Sequence, residues 1–276
     1  MRRTVVTSLL LSALSVTAHA EPPSWRHSEI WDDGNAEFCA YEATWPRYGR
    51  ANEGRALLIT VKEPWAPDLD VKADRPRADG FEVIKFNHVR DVPTGIYSYH
   101  QMASLFWRRD SGELQKIVAT SSEGCGISTA QMTGGRLNTR SYFDGQGERE
   151  LDYPAGAIPE DGLPAALREY VEGELPQELT VFPTLMAARF PPLEPSTYRL
   201  SRRSGVPVEV AAGSFTATAI ELQGGGTYYF SAEAPHSLLL MERADGTRYE
   251  LARCDRIPYW SMAGPEGERW LPEQVR

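Results

Sequence analysis

Beyond its first twenty residues the sequence has no apolar run long enough to cross a bilayer, which takes roughly 20 residues as a helix. No membrane-spanning helix is expected there. Clustered lysines and arginines are also missing, and the formal net charge is −9. An acidic chain without a basic patch repels nucleic-acid phosphates and anionic surfaces at long range, so no nucleic-acid partner is expected. Histidine is scarce and scattered. His27, His88, His100 and His236 show no metal-ligand spacing, and neither a metal nor a cofactor is expected. There is no Cys-x-x-Cys pair, no phosphate loop, no His-Glu-x-x-His and no Gly-x-Ser-x-Gly elbow.

Cysteine is sparse too, with only Cys39, Cys125 and Cys254. The chain is long enough to bury a real core, so disulfides are optional. One bridge plus one free thiol is one reading, and three buried thiols acting as small hydrophobes is the other. The spacing does not choose a pair. A Cys39–Cys125 bridge is a candidate that would contribute about 4 kcal/mol by loop closure.

What is present begins with an address. Arg2 and Arg3 form a short basic region, Val5 to Val16 is apolar around Leu9–Leu11, and Ala18-His19-Ala20 offers small residues at a cleavage site. That is the order of a secretory signal peptide, with cleavage expected near Ala20. No cysteine stands at the cleavage point itself, so no lipid anchor is expected. Loss of residues 1–20 removes two arginines and no acid, taking the charge from −9 to −11. The expected location is the periplasm or the medium.

The remaining pattern is short strands between turns. Leu57, Ile59 and Val61 alternate with Ala56, Leu58 and Thr60, apolar on both faces. Residues 81–86, with an irregularity that reads as a bulge, 114–120, 215–222, 228–230 and 238–241 follow the same rule. Asp245-Gly246 between Leu238–Arg243 and Arg248–Arg253 is a strong hairpin signal. Asp110-Ser111-Gly112, Gly134-Gly135, Asp144-Gly145 and Gly224-Gly225-Gly226 mark further turns. One stretch differs. Asp161 is placed to cap a short helix with Leu163, Leu167, Tyr170 and Val171 on one face and Gly173 as its stop. Pro176, Pro183, Pro191, Pro192 and Pro195 then read as a connector, because proline removes ladder donors. The division is a signal peptide (1–20) and one β-rich domain (21–276). That domain has a β half at 30–153, a helix and connector at 154–204, and a β half at 205–260. The polar tail after Gly264 has Trp270 and Leu271 as its apolar anchors.

Three stretches are candidates for function. Thr120-Ser121-Ser122-Glu123-Gly124-Cys125-Gly126 gathers small residues, an acid and a thiol. As a catalytic group, Cys125 would need His88 or His100 as its base and Glu123 to orient it. The plainer reading is a glycine turn with a buried or bridged cysteine. His88 to His100 contains Arg90 and Asp91, read as an ion pair, and Tyr97 and Tyr99 on one strand face with His100 on the other. Arg90, Tyr97 and Tyr99 are the candidate ligand-binding residues, since tyrosine offers an apolar body with a polar tip. Trp45-Pro46-Arg47-Tyr48-Gly49-Arg50 reads as a turn with arginines stacked on aromatics.

The runs Tyr41–Gly49, Val89–Tyr97, Thr120–Gly126 and Arg256–Trp260 resemble a family of uncharacterised secreted bacterial proteins. Gly213–Leu251 is similar to the closing meander of periplasmic proteins related to the curved sheets of lipoprotein carriers. This resemblance implies a fold and a compartment and assigns no catalytic residue. Together these readings predict a mainly β chain. Its sheet is antiparallel and highly curved, a half-barrel of the lipoprotein-carrier type, with one short helix and the proline-rich connector across the concave face. The function expected is a non-enzymatic envelope protein binding a hydrophobic or lipid-like ligand or a protein partner. The alternatives are a hydrolase or thiol enzyme centred on Cys125 and a structural interaction module of the envelope.

Overall fold

The computed structural model describes residues 24–273, so the leader read over residues 1–20 lies outside the described residues. Nine strands come first: β1 Ala36–Arg47, β2 Arg50–Ala66, β3 Val71–Lys72, β4 Phe81–Pro93, β5 Ser98–Arg108, β6 Leu114–Glu123, β7 Gly126–Thr133, β8 Arg136–Arg140 and β9 Glu148–Asp152. The middle of the chain holds β10 Ile158–Pro159, the helical turns α1 Leu163–Ala166 and α2 Glu169–Glu172, and β11 Glu178–Phe182. A second meander follows: β12 Ser196–Val210, β13 Gly213–Leu222, β14 Gly226–Ser231, β15 Leu238–Arg243 and β16 Arg248–Ile257, then α3 Pro265–Trp270.

One sheet takes in every strand, in the order β10-β11-β12-β13-β14-β15-β16-β1-β2-β4-β5-β6-β7-β8-β9, with β3 beside β2. All pairs are antiparallel except β10 with β11. The first and last long strands meet at the centre of the sheet, and the middle of the chain forms both edges. That order forces curvature. Laid flat, edge strands β9 and β10 would stand about 65 Å apart at a normal strand spacing. Residues 153–157 link them directly and reach about 20 Å at most. The sheet therefore curls until its edges approach, giving a mainly β, strongly curved architecture as the sequence pattern predicts.

Turn chemistry places the hairpins. Asp245-Gly246 joins β15 to β16, with Gly246 at φ +87°, a conformation that glycine adopts without strain. The irregularity read over 81–86 is not a bulge: β4 pairs β2 and β5 in continuous register. Val83 and Asn87 are buried there opposite the inward Ile84 and Phe86. The connector is less bare than its prolines suggest. It contains β11, and β12 runs through the 204/205 boundary.

The concave face holds the main core, including Leu58, Phe86, Leu105, Ile117 and Phe230. Residues 161–168 are buried against it. A Cβ on Gly162 would stand 2.7 Å from Leu105 Cδ2 and 3.0 Å from Trp107 Cη2, so only glycine lets this turn approach β5. The expected single helix is split into α1 and α2, with Arg168 between them. The Arg168 guanidinium is buried and binds Glu37 of β1 at 2.5 Å, and Ser237 Oγ donates to the other Glu37 oxygen at 2.9 Å. A smaller apolar cluster sits on the convex face, where Trp270 packs edge-on to Phe38 at 5.0 Å beside Ile59 and Val61. The two apolar faces of β2 thus have a structural cause: the core covers one and the C-terminal segment the other.

Candidate functional site

Strand registers bring the β1–β2, β4–β5, β6–β7 and β15–β16 turns and the β8–β9 loop to one rim of the curled sheet. Below this rim a pocket of about 640 Å³ opens between the sheet and the proline-rich connector. Its walls come from Trp45, Arg47 and Tyr48 of the first hairpin, His88 and Arg90 of β4, and Tyr99 and Gln101 of β5. Residues 184–191 of the connector and the β15–β16 hairpin close it. Alternation along β4 and β5 explains the choice. Residues two apart face the same side, so His88 and Arg90, and likewise Tyr99 and Gln101, point inward together.

Polar bonds hold the connector as a wall. Gln101 donates to the Met186 carbonyl at 2.8 Å, Ser128 donates to the Ala188 carbonyl, and Gln146 spans the Phe190 backbone at 2.7 and 3.0 Å. Asp161 does not cap a helix. Its buried carboxylate accepts from Thr184 Oγ1 and from the Leu185 and Met186 amides, the last two at 2.7 and 3.3 Å. It fixes the start of the connector instead. Burial raises its pKa to about 6, against the opposing pull of the Thr184 hydrogen bond.

His88 is wholly engaged. Nδ1 lies 3.0 Å from the Asp161 carbonyl, and Nε2 lies 2.8 Å from the Tyr249 hydroxyl. A carbonyl only accepts, so Nδ1 carries the proton and Nε2 accepts from Tyr249. Burial, followed by the nearby Arg90 charge, lowers the His88 pKa to about 3.

The candidate ligand residues separate by depth. Tyr99 is fully buried, and burial holds its phenol well above the usual tyrosine range. Tyr97 sits at the rim, where its hydroxyl lies 3.1 Å from that of Tyr48, which also bonds Tyr99. Arg90 is inside and does not pair with Asp91. Neighbours in a strand face opposite ways, so Asp91 meets Arg55 and His100 outside, while Arg90 donates to Gln101 Oε1. The Arg90 guanidinium lies over the Trp45 ring at 4.4 Å. The stacking expected of the first hairpin is present: Arg47 lies 5.6 Å from Trp45, 4.9 Å from Tyr48 and 5.4 Å from Tyr99. Sequence reasoning missed Gln101, Tyr249 and Arg243, which line the same pocket. The alternation that brings Gln101 beside Tyr99 was a usable signal. Nothing local announced Arg243, whose partner Glu160 is far away in sequence.

The cysteine expectations need correction. Cys39 is bridged to Cys254, not to Cys125. The two stand directly opposite on β1 and β16, with Cα atoms 4.0 Å apart. Cys125 is a free, exposed thiol at the β6–β7 turn. It has no base. His88 is committed inside the pocket, and His100 bonds Asp91 at 2.6 Å on the convex side. Glu123 meets the Tyr142 hydroxyl at 3.3 Å rather than either histidine. Among the described residues, one group with metal-ligand proximity contains Glu37 and both bridged cysteines. Those sulfurs are spent in the disulfide and Glu37 in its pair with Arg168.

No protein-family model and no curated protein sequence matches the chain. Among solved structures, it is similar to a β-barrel-like protein of the domain of unknown function DUF1849 from Brucella abortus. The two share 13% identity at a TM-score of 0.46, over 80% of this chain and 98% of that one. Among the described residues, no helix is long and apolar enough to cross a membrane.

Proposed function

We propose that this chain is an exported, non-catalytic binding protein that takes an apolar or lipid-like ligand into the pocket under its connector. One observation carries the reading. The pocket is of ligand size and has an apolar connector wall of Met186, Ala187, Ala188 and Phe190, while its buried histidine and aspartate, His88 and Asp161, are engaged in structural bonds. A general base needs a free acceptor within reach of a substrate proton, and neither His88 nor Asp161 is arranged to supply one. The signal-like leader and the resemblance to periplasmic curved-sheet proteins support an envelope location. Native mass spectrometry of protein purified from the envelope tests the binding. A bound small molecule, lost on organic extraction, is expected. A bare mass together with no uptake of decanoate, decyl phosphate or 1-decanol overturns the reading.

Exposed apolar side chains at the same rim favour a second reading, a protein partner. Ile96 is fully exposed on the β4–β5 loop, with Tyr48 and Ile127 on the neighbouring hairpins. Substituting Ile96 and Ile127 with serine would abolish capture of such a partner and leave small-molecule binding intact.

A further inference from the structure

We infer that the pocket recognises an anionic headgroup, a carboxylate or a phosphate on an apolar chain, through Arg47 and Arg90. This rests on the pocket being a ligand site. The observation is a departure from how the protein treats other arginines of low exposure. Arg168 is paired with Glu37, Arg109 with Asp32 and Glu82, Arg243 with Glu160, and Arg256 with Asp33. Arg47 and Arg90 make no ion pair among the described residues. Arg90 is only 9% exposed, yet its hydrogen-bond partners, Gln101 and Tyr249, are neutral. Arg47 donates to the Tyr99 hydroxyl at 3.4 Å, again a neutral acceptor.

Two like charges held against one indole are poorly compensated. Each gains from the ring face, but they repel each other, and a guanidinium removed from water wants an acceptor. Of the carboxylates lining the cavity, Glu160 is paired with Arg243, and Asp161 feels the Arg90 charge but directs its oxygens to Thr184 and the connector amides. The arrangement suits a carboxylate or phosphate, whose oxygens match the guanidinium fork. Tyr48 and Tyr99 add hydroxyls at the same place. Beyond the arginines, Met186, Ala187 and Phe190 offer an apolar wall for the ligand's tail. The ligand class is thus an amphiphile with its charge at the Trp45 end.

Calorimetric titration of the full chain with decanoate, decyl phosphate and neutral 1-decanol tests this. At least one anion is expected to bind ten-fold or more tightly than the alcohol, and the tighter of the two identifies the headgroup. Arg90→Gln and Arg47→Gln should each reduce anion affinity at least five-fold with alcohol binding unchanged. Arg47 is half-exposed at a hairpin end, so Arg47→Gln decides the matter if Arg90→Gln does not fold. Equal affinity for anions and alcohol overturns the anion inference and leaves an apolar pocket standing. Binding of none of the three overturns both readings.

Discussion

The Nδ1 of His88 donates to the backbone carbonyl of Asp161 at 3.0 Å, joining strand β4 to the turn that starts the helical segment. The two residues respond to acid in opposite directions. Burial lowers the His88 pKa to about 3 and raises that of the Asp161 carboxyl to about 6. Stability linked to His88 is fully present above its unfolded pKa, near 6.5, and is lost as pH falls toward 3. Stability linked to Asp161 is fully present below its unfolded pKa, near 4, and is lost as pH rises through 6. Each slope is about 1.4 kcal/mol per pH unit where it operates, so between pH 4 and 6 they largely cancel. Urea denaturation across that range should show little pH dependence from this pair. Asp161→Asn should expose the His88 slope, with stability rising from pH 4 to 6.5. His88→Gln should expose the opposite slope. Parallel pH profiles for the two variants would contradict the assignment.

The bridge between Cys39 and Cys254 spans 215 residues of sequence. Closing so long a loop in the unfolded chain stabilises the fold by about 5 kcal/mol in the chain-entropy model. Cys39→Ala with Cys254→Ala should therefore lower the melting temperature markedly, by more than Cys125→Ser, which should leave it unchanged. Thiol labelling of native protein should count one reactive cysteine. After denaturation and reduction it should count three.

Gly162 provides a local test of how the helical segment seats in the sheet. Gly162→Ala pushes a methyl against Leu105 and Trp107 and should cost about 1–3 kcal/mol by overpacking. The midpoint of urea unfolding reads this directly. A neutral result would mean that the segment is not pressed onto β5.

The buried pair of Arg168 and Glu37 anchors the same segment from the other side. Arg168→Met alone leaves a buried carboxylate without its cation and should cost about 3–5 kcal/mol. Pairing it with Glu37→Gln should restore much of that loss. A double variant as unstable as the single one would show that packing, not charge, is what Arg168 contributes.

Much of the architecture could be read from residue order, because turn chemistry and alternation are local. Asp245-Gly246 makes a hairpin wherever it lies between two apolar strands, and Tyr99 alternates with His100 in any sheet. Composition alone argued against a spanning helix and against a basic surface. Partners distant in sequence were decided only by the curl of the sheet. Cys39 could have met either of two cysteines until β1 closed against β16 at the sheet's centre. Asp161 looked like a helix cap, but folding brought it the amides of Leu185 and Met186. Arg90 and Asp91 looked like an ion pair, and the pleat sent one inward and the other out. The pocket is the extreme case. Trp45, Arg90, Met186 and Arg243 come from four parts of the chain, and no local pattern announces a wall that forms only when the edges of the sheet approach. Local sterics and burial patterns act over a few residues, whereas the pairing of distant groups is set by topology.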